Sequence, residues 1–509
     1  MNKQPSPRNL TRREVLTASV GAAALGCSSP TVKKRPNILM LMSDQHRGDC
    51  MSADGNATVS TPHLDQLAAE GARFRCAYSS TPSCTPARAA LLTGRSPWQH
   101  GMLGFGRVAE RYPVEMPRVL RESGYHTEGI GKMHWHPQRN LHGFHRVQLD
   151  ESGRVRTPDF VSDYRQWFAQ EAPDLDPDAT GIGWNDYRAK PYVLPERLHP
   201  TTWTGDRAVE FLESYQQPEP FFLKVSFARP HSPYDPPQRF MDQYADAPLP
   251  EARVGGWAER YRERSDDSFN IWHGNLGPEQ VRHSRQGYHG SVSFIDEQIG
   301  RILEALDARG ELDETLILYF SDHGDMTGDH HMWRKCFPYE ASARIPMLIR
   351  WPTGLVAAER GQVIDKPVEI RDILPTMLDA AGRGERDDMD GRSMLPLLQS
   401  SDAPWREFID LEHNICYSPK NHWTALTDGR MKYIFHTIDG EEQLFDLTTD
   451  PHEQSDLAGE SNHENSLCLW RNRMVEHLAE RGEPFVKNGK LMVRPERFLH
   501  SPHYPQQPA

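Results

Sequence analysis

The chain has 509 residues, 37% hydrophobic and 25% charged, enough for one large core and a smaller companion domain. Its formal net charge of -13 excludes a sequence-independent nucleic-acid binder, which needs a basic face, but not a local basic pocket for an anionic ligand. After the N-terminus, no apolar stretch is long enough to span a membrane.

Thr11-Arg12-Arg13-Glu14-Val15-Leu16 precedes a small-residue apolar run from Thr17 to Gly26, ending at Cys27. The pattern reads as a twin-arginine-type export signal and linker over residues 1–34 and predicts a periplasmic or extracellular protein. A disordered basic tail is the competing reading. Ala24-Leu25-Gly26 ahead of Cys27 makes that cysteine a candidate for lipid anchoring. The remaining cysteines form no CxxC pair, and no disulfide is assigned.

Pro36 to Asp44 reads as a buried strand ending in a carboxylate, and Thr315 to Asp322 repeats that grammar. Phe221 to Phe227 and Pro346 to Trp351 are further strands. Apolar stripes predict helices over Ser293–Arg309 and Val368–Ala381. Strands alternating with helices predict an α/β fold: a large, mostly parallel sheet sandwiched by helices. Residues 136–200 and 228–285 read as long loops carried by that scaffold. Past residue 400, an Asp428-Gly429 hairpin, a strand at Gln443–Leu447 and a helix over Leu467–Arg481 predict a smaller C-terminal α+β domain with an antiparallel sheet. The expected domains are 35–400, catalytic, and 401–509, completing the substrate pocket.

In open α/β sheets, ligands sit beyond the carboxyl ends of the strands. Asp44-Gln45 and Asp322-His323 occupy two such ends and offer side-chain oxygens and an imidazole nitrogen, a donor set for a hard divalent ion. Either carboxylate alone reads first as a helix cap; two such ends, each followed by another ligand-capable residue, favour the metal. Cys84-Thr85-Pro86-Ala87-Arg88 places a thiol at or near the start of a short helix, Pro86–Leu92. Arg88 and the helix N-terminus would lower that thiol's pKa; a buried structural cysteine fits the same residues.

The full run from Cys84 to Thr93-Gly94-Arg95 resembles the signature of the type I, formylglycine-dependent sulfatases of the alkaline phosphatase-like superfamily. Gly131-Lys132-Met133-His134, the loop bearing His231, and Gly328 to Lys335 follow in the family's order. So do Arg344-Ile345-Pro346, Asp390-Gly391-Arg392-Ser393 and Leu444-Phe445-Asp446-Leu447, so the resemblance spans residues 35–460. It implies a sulfuric ester hydrolase holding one Ca2+, or Mg2+ in its place, through Asp44, Gln45, Asp322 and His323, with residue 84 beside the ion. It also implies that a transient maturation enzyme converts Cys84 to formylglycine (3-oxoalanine), which is then hydrated to a gem-diol. Arg88 and Lys132 would orient that diol, Lys335 would bind the sulfate, His231 would protonate the departing alcohol, and His134 would take the proton from the second hydroxyl.

Many family members carry an aspartate where this chain has Gln45. Phosphonate monoester hydrolases and choline-sulfatase-like members share Asp-Gln, so a phosphonate or phosphodiester hydrolase is the alternative, followed by a non-catalytic binding protein. Sulfated carbohydrate is the expected substrate. Trp167, Trp184, Trp203, Trp257 and Trp272 are candidates for a glycan rim or for packing, and His413 and His422 for reaching the pocket.

Overall fold

The computed structural model describes residue 1 and residues 35–151, 153–154, 156–415, 417–418 and 421–505. The expected export signal and Cys27 lie outside the described residues. Eight strands form the large sheet: β1 (Asn37–Asp44), β2 (Ala72–Phe74), β3 (His126–Gly131), β4 (Arg146–Leu149), β5 (Phe221–Pro230), β6 (Thr315–Ser321), β7 (Met347–Arg350) and β8 (Gln362–Ile364), in the order β8-β2-β7-β6-β1-β5-β3-β4. The sheet is mostly parallel. The exception is β7, which runs antiparallel to both β6 and β2.

Alternation sends the central side chains to two cores. Ile38, Met40 and Met42 of β1 face one core with Leu316, Leu318 and Phe320 of β6. That core also takes α1 (Cys84–Thr93). Leu39 and Leu41 face the other, which receives α2 (Pro200–Ser214) and α3 (Pro278–Ala308). A further helix, α4 (Ile373–Ala380), covers the first face. With both faces covered, the central strands are apolar throughout instead of alternating.

Three local expectations change. α3 begins at Pro278, well before Ser293, because its first half is wedged between segments and shows no single apolar stripe. The stretch from Val368 opens as a two-residue strand and a short 3-10 turn before α4. The expected loop 136–200 holds the edge strand β4 and a helix, Asp163–Glu171.

The second sheet, β9 (Ile409–His413), β10 (Trp423–Thr427), β11 (Met431–His436) and β12 (Glu442–Asp446), is an antiparallel meander. Gly429 takes φ 83° in the β10–β11 turn, a conformation that glycine adopts without strain. One face packs Leu426, Tyr433 and Leu444 against α5 (Glu464–Leu478). The other packs Leu411, Trp423 and Phe445 against Tyr78, Phe337 and Tyr339 of the main body. Buried Lys432 reinforces that seam through Glu340 at 2.7 Å and Glu453 at 2.8 Å. Both sheets thus belong to one compact unit, Pro36–Ala509. Among the described residues, no helix is long and apolar enough to cross a membrane.

Candidate active site

β1 and β6 are neighbours in register, Ser43 opposite Ser321, so the next residues, Asp44 and Asp322, emerge side by side at the carboxyl edge. α1 begins at Cys84, two residues before Pro86, and this places the thiol at the first helical position above them. Ligand atoms of Asp44, Cys84, Asp322 and His323 all lie within 4.8 Å of one another, and all four residues are buried. His323 Nδ1 lies 2.9 Å from the Gly324 carbonyl, which selects the Nδ1–H tautomer and leaves Nε2 as a lone pair 3.2 Å from Cys84 Sγ. Two carboxylates and an imidazole lone pair on rigid strand ends suit a hard divalent ion.

Gln45 joins the cluster through a left-handed backbone, φ 72°. Its amide nitrogen donates to Asp325 Oδ2, so its oxygen turns inward, where Lys335 Nζ donates to it at 2.8 Å. Asp325 is itself held by the Tyr234 hydroxyl at 2.8 Å and the Thr327 amide at 2.9 Å. Lys335 Nζ also lies 3.3 Å from Cys84 Sγ.

Cations neutralise the carboxylates from below. Arg88 reaches Asp44 Oδ2 at 3.2 Å and Asp322 Oδ2 at 3.0 Å, and its other arm donates to Ser226 Oγ and the Lys132 carbonyl. Lys132 Nζ lies 2.5 Å from Asp44 Oδ2, an ion pair that is off-line for a hydrogen bond. Burial opposes ionisation of Asp44, but Lys132 first, with Lys335 and Arg88, holds it well below the usual carboxylate range. Burial and Asp44 push the Cys84 thiol up, yet Lys335 and then Lys132 prevail and leave its pKa lowered.

Two buried histidines share the field of Lys132 beside this cluster. The His231 amide donates to the Asp44 carbonyl at 3.0 Å, its Nδ1 is engaged by the Ser232 carbonyl at 2.8 Å, and its buried Nε2 has no partner among the described residues. Trp184 stacks on its ring at 3.8 Å and lies 4.9 Å from Lys132 Nζ. His134 is not placed by strand alternation after Lys132: β3 stops at Gly131 and His134 turns back at φ 60°. Glu151 fixes that turn by accepting from the amides of Met133 at 2.9 Å and His134 at 2.8 Å. His134 Nδ1 is likewise buried without a partner. Burial first, then Lys335 for His231 and Lys132 for His134, hold both imidazoles well below their ordinary pKa.

The sulfatase family model matches residues 36–383, most of the chain. The chain belongs to the sulfatase family. A second family model, the C-terminal region of N-sulphoglucosamine sulphohydrolase, matches residues 328–480. A curated arylsulfatase of Clostridium perfringens is 37% identical over 90% of this chain and 97% of its own length. An N-acetylglucosamine-6-O-sulfatase of Bacteroides thetaiotaomicron is 26% identical over 86% of this chain and 85% of its own. The crystal structure of a phosphonate monoester hydrolase of Agrobacterium radiobacter superposes with a TM-score of 0.73 at 24% identity, covering 88% of this chain and 96% of that one. That likeness shows a shared fold. Together, the family model and the curated relatives make this sulfatase a sulfuric ester hydrolase.

The structure gathers every site residue expected from the sequence of this sulfatase. It also adds Asp325, Glu151, Ser226 and Trp184, which support the others. Of the tryptophans that were candidates for a glycan rim or for packing, Trp203 is core, Trp167 packs against Trp203 and its neighbours, and Trp257 packs on Tyr339. Trp184 serves the site by backing His231.

Proposed function

We propose that this sulfatase hydrolyses sulfate esters of carbohydrates after export. The observation that carries the reading is the convergence of Cys84 with Asp44, Asp322, His323 and Lys335. Asp44, Gln45, Asp322 and His323 would hold a divalent cation, Ca2+ first, which would supply Lewis-acid polarisation, and formylglycine at position 84 would supply the nucleophilic oxygen.

Lys335, at the height of Sγ, binds the sulfate oxygens and holds their growing charge. Arg88 and Lys132, both buried, keep Asp44 ionised and fix residue 84 from below. His231 offers its unpartnered Nε2 to the leaving alcohol, and Trp184 excludes water from that ring. A bound sulfate ester offsets the Lys335 charge that depresses His231 and so raises its basicity toward that of a useful acid. His134 would accept the proton whose removal frees sulfate. The N-acetylglucosamine-6-O-sulfatase relative supports a sugar substrate, and the twin-arginine pattern supports export.

A panel of defined sulfated sugars, with enzyme co-produced with a maturation factor, tests the reading by sulfate release. Expected is turnover of at least one sugar sulfate; faster cleavage of a nitrophenyl phosphodiester than of any sulfate would overturn it. That rival outcome has its own support in Gln45, which removes one negative charge from the metal site.

A further inference from the structure

A second group of buried polar side chains lies one residue from Cys84 along the chain. His413 ends β9, and its Nε2 lies 2.9 Å from the hydroxyl of Ser83, the residue before Cys84. His422 immediately precedes β10. Arg494 comes from the strap that follows Leu491. Its amide donates to the Thr437 carbonyl at 2.6 Å, and the Thr437 amide donates to the His422 carbonyl at 2.9 Å. Further along, the strap is tied down by the Asn414 amide on the Phe498 carbonyl at 2.7 Å and by the Leu103 amide on the Leu499 carbonyl at 3.0 Å.

His413 and His422 are 0% exposed and Arg494 is 6% exposed. Even so, among the described residues, His413 Nδ1, both ring nitrogens of His422, and Nε and Nη1 of Arg494 are buried without a hydrogen-bond partner. Buried polar atoms are nearly always satisfied, and each one left alone costs about 1–3 kcal/mol.

The charges around Arg494 do not cancel it. Glu412 is nearby, but both its oxygens are taken by Arg481 at 2.9 Å. One face of the Arg494 guanidinium rests on the Phe485 ring at 4.3 Å, which leaves its edge available. Arg497 adds more positive potential at His422. A guanidinium carries only donors, and a neutral imidazole contributes one N–H. Such a group fits oxygen atoms bearing negative charge, and the guanidinium fork matches two oxygens of one carboxylate or sulfate.

We propose that Arg494, His422 and His413 form a second anion subsite, which receives a carboxylate or second sulfate on the substrate beside the ester that reaches residue 84. The proposal rests on the sulfatase reading only for the source of the anion. It makes the preferred substrate doubly anionic. Burial brings Arg494 down to about 10, still a cation at neutral pH, and His422 down to about 3, so the arginine carries the charge and the histidines supply hydrogen bonds.

The test is calorimetric binding to protein whose Cys84 is left unconverted, with three probes: a monosulfated glucosamine, a disulfated glucosamine and a sulfated uronic acid. Expected is at least about tenfold tighter binding of a doubly anionic probe than of the monosulfate, lost in Arg494→Gln and in His422→Gln while monosulfate affinity holds. Whichever doubly anionic probe gains tells sulfate from carboxylate. Equal affinity for all three probes, or a preference that survives both substitutions, overturns the subsite, and ordered water alone at Arg494 in a soaked crystal does the same. If Arg494→Gln melts early, His422→Gln decides. Turnover of 4-nitrophenyl sulfate by converted enzyme is read separately. Turnover without the preference breaks the subsite alone; the preference without turnover breaks the sulfatase reading alone.

Discussion

Around Cys84 and around Arg494 the protein buries charge to similar depth and treats it in opposite ways. Beside Cys84, Asp44 and Asp322 face Arg88, Lys132 and Lys335, so opposite charges pair within a few ångströms. In the corner formed by β9, β10 and the C-terminal strap, the carboxylate of Glu412 is already paired with Arg481. The first region is assembled in advance for a reaction, with its own countercharges in place. The second holds a surplus cation, whose countercharge would come from outside the chain.

The largest effect is expected at the paired site. Cys84→Ala should leave the thermal transition in place and reduce sulfate-ester hydrolysis by at least about 10^4-fold; retained turnover would refute a nucleophile made from this residue. In active enzyme, mass spectrometry should find the Cys84 peptide lighter than its encoded mass by loss of hydrogen sulfide and gain of one oxygen.

Next comes a direct contrast between the two buried arginines of the corner. Glu412→Gln strands Arg481 and should cost about 3–5 kcal/mol in denaturant unfolding. Arg494→Met removes a charge with no partner and should stay within about 1 kcal/mol of the parent, or exceed it, in buffer free of multivalent anions. A large loss from Arg494→Met would show that an internal partner satisfies it, and the contrast would fail.

Lys335→Ala should lower kcat by about 10^2–10^3-fold, the scale for losing one donor to developing charge. A rise in KM alone would assign Lys335 to ground-state binding. The smallest effect should come from Asp325→Asn, which releases the Gln45 amide without touching residue 84. The Ca2+ concentration that half-restores chelated enzyme should rise about 10–100-fold, and tryptophan fluorescence during the Ca2+ titration gives the same constant without turnover. An unchanged constant would remove Gln45 from the ion's ligands.

Much of the site was legible in the sequence because local rules specify it. An apolar run ending in Ser43-Asp44 and another ending in Ser321-Asp322 declare two strands whose next residues face a ligand edge, and the Cys84–Arg95 run declares its own helix. Those signals are periodic or contiguous, so one short window contains each of them. Tertiary structure decided what no window contains. The antiparallel direction of β7, the early start of α3 and the left-handed turn at His134 depend on neighbours distant along the chain. Asp325 orients Gln45 across 280 residues, and Arg494 reaches His422 only because the strap folds back over β10 and β11. A lone arginine in a polar tail has no pattern to mark it. Its importance comes from being buried where, among the described residues, the nearby Glu412 is already paired, and only the folded chain defines that.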